Sequence, residues 1–104
     1  MNCKEYVYIM SNPSYDYLKI GKTRKDSLIR AKQLYTTGVP TPFVIEGIIH
    51  TIDSKTLETK IHNCIKKYRT NNDREFFHID YTDLKKNINK RIEPWNNRLW
   101  HIMY

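Results

Sequence analysis

Residues 6–10, Tyr6-Val7-Tyr8-Ile9-Met10, and residues 17–21, Tyr17-Leu18-Lys19-Ile20-Gly21, decide how this chain folds. Both runs are rich in aromatic and branched aliphatic side chains, the composition of strands. Side chains alternate along a strand, so Tyr6 and Tyr8 share one face while Val7 and Ile9 share the other. Between the runs, Ser11-Asn12-Pro13-Ser14 carries turn chemistry. Two strands this close in sequence pair most cheaply as an antiparallel hairpin. The second strand is expected to end at Gly21.

Moving outward, Thr23-Arg24-Lys25-Asp26 has the spacing of a capping box and opens a helix that runs to about Tyr35. Phe43 to His50 is a long apolar strand, expected to be central and covered on both faces. Asp53 or Ser54 then caps a second helix, whose stripe is Leu57, Ile61, Cys64, Ile65 and Tyr68. Arg69 to Arg74 reads as a polar loop, and Glu75-Phe76-Phe77-His78-Ile79 as a short edge strand. A third helix spans Tyr81 to Arg91, and Pro94 stops it. The order is β-β-α-β-α-(β)-α. The class is α/β (α+β), with a three-stranded, mainly antiparallel sheet flanked by helices. The expectation is one domain over residues 1–104, with a core at about 5–79 and a C-terminal helix and aromatic tail at 80–104.

The formal charge of +7 attracts polyanions, and nucleic acid is the obvious one, because neutralised phosphates release their counterions. The chain has two cysteines, Cys3 and Cys64, with no CxxC pair, so neither a disulfide framework nor a zinc site is indicated. No apolar run approaches the ~18 residues of a membrane span, and the N-terminus lacks a secretory apolar segment. An intracellular setting, cytoplasmic or nuclear, without membrane contact is expected. Gly21-Lys22-Thr23 invites a phosphate-loop reading, but Asp16 stands where its first glycine would be. The four histidines lack zinc-ligand spacing.

Tyr6-Val7-Tyr8, Lys19-Ile20-Gly21, Arg30 and Glu58, in that order, resemble the pattern of the GIY-YIG nuclease superfamily. The similarity is greatest to its viral and bacterial T5orf172/MUG113 branch, through Lys19-Ile20-Gly21-Lys22-Thr23, Leu57-Glu58 with His62, and Glu75-Phe76-Phe77. A virus or phage genome is therefore among the expected sources. Tyr8 matches the tyrosine of GIY, with Tyr6 in the glycine's place. Lys19 replaces the tyrosine of YIG. Ile20 and Gly21 match outright. Leu34 stands where the family often has a histidine, and Asn71 or Asn72 is the nearest match to its late asparagine.

The resemblance implies the GIY-YIG fold and metal-dependent endonucleolytic hydrolysis of DNA, with RNA left open. Glu58 is the expected ligand of Mg²⁺ or Mn²⁺, since magnesium often needs only one or two carboxylates beside water and phosphate oxygens. Tyr8 is the expected general base. A phenol near pKa 10 needs a neighbouring cation to work at neutral pH, and Lys19 on the adjacent strand is expected to provide it or to orient the water itself. Arg30 is the expected phosphate clamp. Lys22, Arg24, Lys25 and Lys32 flank the site as backbone contacts, which orient rather than specify. Tyr6, His62 and Glu75 are accessory candidates, Glu75 as an anchor or a partner of Arg30. Singly, each has an ordinary role: a strand tyrosine packs, a helix arginine is solvated, a helix glutamate pairs with Lys55 or His62. A catalytically degenerate nucleic-acid-binding protein of the same fold is the alternative, and a protein-interaction role is a third. With no room for a separate reader domain, specificity would come from a homodimer or a targeting partner.

Overall fold

The structure is a computed structural model that describes residues 5–24, 27–35, 38–70 and 75–91. Lys25, Asp26, Asn71, Asn72, Cys3 and the aromatic tail lie outside the described residues. Strands β1 (Glu5–Ser11), β2 (Leu18–Thr23), β3 (Val44–Thr51) and β4 (Phe76–Phe77) form one antiparallel sheet in the order β3-β1-β2-β4. Helices α1 (Ser27–Leu34), α2 (Ser54–Cys64) and α3 (Tyr81–Arg91) complete it, with a 3-10 turn at Lys66–Tyr68. No helix among the described residues is long and apolar enough to cross a membrane.

The hairpin forms as the alternation predicts, and Asn12 fixes its turn. The Asn12 carbonyl accepts from Tyr15 N–H at 2.9 Å, its side-chain oxygen accepts from Ser14 N–H at 2.9 Å, and its amide donates to the Thr41 carbonyl at 2.7 Å. These bonds satisfy a buried polar side chain and tie the turn to the segment before β3.

Two expectations need correcting. The sheet has four strands, because Phe76 and Phe77 pair with Lys19 and Leu18 as a true ladder. The strand at Val44–Thr51 lies at an edge, paired only with β1 among the described strands. Its apolar character has another cause. Ile45 packs on the α1 side with Tyr8, Met10 and Ala31, while Ile49 joins the opposite cluster. Coverage of both faces makes a strand apolar wherever it sits in the order.

The larger core unites Val7, Ile9, Ile20 and Ile49 with Leu57 and Ile61 of α2, Ile65 at the C-cap of that helix, and Leu84 and Ile88 of α3. The α2 stripe is thus as predicted, and Asp53 is its cap, accepting from Thr56 N–H at 3.1 Å. The second strand runs past Gly21 to Thr23, which matters for the site.

Candidate active site

Tyr8 and Gly21 are cross-strand partners in the hairpin. A β-carbon on Gly21 would overlap the Tyr8 hydroxyl and the Glu75 carboxylate. Glycine is required here for room, and the two oxygens share the space it leaves. Arg30, on α1, donates a hydrogen bond to the Tyr8 hydroxyl. Burial is the main cause that pushes the Tyr8 phenol up from 10.0 to about 12, with Glu75 adding to it and Arg30 opposing. The expected lowering by Lys19 is therefore overturned. Lys19 faces a carboxylate instead, its Nζ lying 3.3 Å from Glu75 Oε2 and 4.6 Å from the centre of the Phe76 ring. The lysine side chain is 8% exposed, so the Glu75 charge is what makes its burial tolerable.

Because β4 is only two residues long, the outer edge of β2 beyond Lys19 needs other partners. Ile20 N–H donates to the Glu75 carbonyl at 2.8 Å. The Ile20 carbonyl lies 3.0 Å from His62 Nε2. A carbonyl can only accept, so Nε2 carries the proton. The Lys22 N–H donates to the Glu58 carboxylate. Glu58 and His62 are four residues apart on α2 and so lie on one face of it, latching the helix to the strand. Burial, then Glu75, raises the Glu58 carboxyl above its ordinary range, while burial holds the His62 imidazole below its own.

These groups border one open cleft of about 710 Å³, lined by Lys22, Arg30, Glu58, Thr59, His62, Asn63, Arg69 and Glu75. Of the residues expected from sequence, Lys22, Arg30, Glu58, His62 and Glu75 line it, and Tyr8 is bonded behind it through Arg30. Arg24 lies instead beside Glu5, with 3.6 Å between their charged atoms, in a neighbouring pocket that Lys22 also borders. Lys32 is exposed on α1 and Tyr6 packs edge-on against His50, and neither lines the cleft. Arg69, Thr59 and Asn63 were not anticipated. Arg69 sat in a stretch read as loop, but it bridges to Phe77 and its guanidinium lies over that ring. Thr59 and Asn63 follow from the helical spacing of Glu58 and His62, a signal present in the sequence.

No group of three or more His, Cys, Asp or Glu among the described residues could hold a metal ion alone. Glu58 and Glu75 raise each other's electrostatic cost across an open cleft, which is the setting that a hard divalent cation relieves. Such an ion would complete its shell with water and phosphate oxygens, so the residues present fit it.

A family model, the T5orf172 domain, matches residues 5–93. No curated protein and no solved structure matches the chain. The matched segment runs from the first residue of β1 through α3 and so contains the whole cleft. This chain belongs to the T5orf172 domain family, a family of nuclease-like domains.

Proposed function

We propose that the chain is a metal-dependent endonuclease that hydrolyses DNA phosphodiester bonds in the cleft between α1, α2 and the edge of β2. One observation carries the reading: Arg30, Glu58 and Glu75 line a single cleft that also presents Lys22 and Arg69, and the buried Tyr8 hydroxyl backs it through its hydrogen bond with Arg30. Arg30 and Arg69 bind the phosphate, with planar guanidinium forks suited to its oxygens. Glu58, its carboxylate oriented by the Lys22 amide, would hold Mg²⁺ or Mn²⁺, which when bound would supply Lewis-acid polarisation of the phosphate and a counter-charge for the departing oxygen.

Water attacks phosphorus, a new oxygen–phosphorus bond forms, and the bond to the 3′-oxygen breaks, leaving a 5′-phosphate and a 3′-hydroxyl. A phenol held near 12 is protonated at neutral pH, so Tyr8 serves as general base only by giving up its own proton. Glu75, which shares the space above Gly21, receives that proton while Tyr8 takes the one from water. Lys19 keeps Glu75 in place.

The test is supercoiled plasmid with Mg²⁺ or Mn²⁺, with and without chelator, using wild type, Tyr8→Phe, Arg30→Ala and Glu58→Ala. Metal-dependent nicking is expected, with each variant reduced on the order of a hundredfold or more. A second reading, a DNA-binding protein without chemistry, draws on the same phenol: its tightly held proton also suits a hydroxyl that only positions Arg30. Salt-sensitive DNA retention with no nicking by wild type would establish that reading instead.

A further inference from the structure

The face of the sheet that carries Tyr8 is covered by α1 over β1 and β3. Over β2 and β4 the same face carries aromatic rings. Phe76 pairs with Lys19 across the two strands. Tyr17 meets Phe76 edge-on at 4.5 Å and His78 edge-on at 5.9 Å. Tyr15 then lies flat on Tyr17, with centroids 4.9 Å apart and planes 9° from parallel. Tyr15, Tyr17 and Phe76 are all partly exposed. The series begins beside Glu75, which lines the cleft, and ends at Tyr15; at its flank the exposed Asp16 carboxylate lies 3.5 Å from His78.

From this continuity we propose that the Tyr15–Tyr17–Phe76 series is a stacking platform for an unpaired nucleobase of the strand whose phosphate occupies the cleft. The proposal rests on the nucleic-acid reading and adds that the protein favours single-stranded over fully paired DNA. A π-face accepts any base, so the platform supplies affinity without sequence choice. The charges agree with the polarity of a strand. Cations at Lys22, Arg30 and Arg69 take the phosphates, while Asp16, at the flank of the rings beside His78, repels them, so bases rather than backbone meet the rings. A base stacked on Tyr15 extends a pair that is already parallel and already ordered, which lowers the cost of binding.

The test compares oligo(dT) with an abasic oligomer of equal phosphate number, bound to the full chain in the presence of chelator and followed by fluorescence anisotropy. Wild type is expected to bind oligo(dT) about tenfold more tightly than the abasic strand. Tyr15→Leu, which keeps apolar bulk but not the ring, should erase that difference and leave abasic binding unchanged. Tyr15→Phe should restore it. Arg30→Ala should weaken both strands alike. Equal affinity of wild type for the two strands overturns the platform and leaves the nuclease reading standing. Equal loss on both strands in Tyr15→Leu also overturns it. Absence of binding to either strand overturns both readings.

Discussion

The hydroxyl of Tyr8 lies over the α-carbon of its cross-strand partner Gly21, where any other residue would place its β-carbon. Gly21→Ala is therefore expected to cost about 1–3 kcal/mol by overpacking, read as a lower urea midpoint, and to abolish nicking. Tyr8→Phe in the same chain should recover part of the stability by removing the hydroxyl. A fully additive double mutant would refute the shared space.

Tyr8 should ionise near pH 12 rather than 10.0. A raised folded value means that the folded state holds its proton longer than the unfolded one. The associated stability, about 2–3 kcal/mol, is complete below pH 10 and is lost as pH rises through 12. Absorbance at the tyrosinate band, wild type minus Tyr8→Phe, should stay flat to about pH 10 in metal-free buffer. A tyrosinate that appears in this difference near neutral pH would contradict the buried, doubly acidic surroundings.

His62 works in the opposite direction. Its imidazole is held below the ordinary 6.5, so the fold favours the neutral ring. The stability it contributes is present above 6.5 and lost as pH falls through the lower folded value. His62→Gln keeps an N–H where Nε2 donates to Ile20 and cannot titrate. Thermal melts of this variant should lose less between pH 7.5 and pH 5 than those of wild type, and equal losses would show that His62 is not the titrating group.

Glu75→Gln exchanges the carboxylate beside the buried Lys19 ammonium for an amide. A cost of about 1–3 kcal/mol is expected in urea unfolding. Lys19→Met combined with Glu75→Gln should cost less than the two changes summed, because no buried cation is then left underpaired. Additivity would show that the pair is not coupled.

The hairpin and the second helix were legible because each rests on local pattern, alternation in one and a helical stripe in the other; Tyr8, Arg30 and Glu58 were named through the family resemblance, and the fold sets Arg30 and Glu58 on one cleft with Tyr8 behind it. What failed was whatever depends on neighbours distant in sequence. An apolar run reports that both faces of Val44–Thr51 are covered, but not that it lies at an edge. Adjacency of strands placed a lysine near Tyr8, but only the fold buries the phenol and sets Glu75 beside it, and burial first, then that charge, raise it instead of lowering it. Arg69 was hidden because a single bridge to Phe77, rather than any periodicity, positions it.

The edge of β2 has one more consequence. Glu58 and His62 meet main-chain atoms of Lys22 and Ile20, and the Lys22 charge acts on the Glu58 carboxylate as well. Exchanging the lysine at 22 would leave the main-chain contact but remove a charge that lowers the Glu58 carboxyl. A slip of the hairpin by a single position, by contrast, would turn Gly21 away from Tyr8 and offer α2 the wrong amide. The arrangement of the cleft and the pairing of the first two strands are in this sense one decision, taken when the hairpin closes.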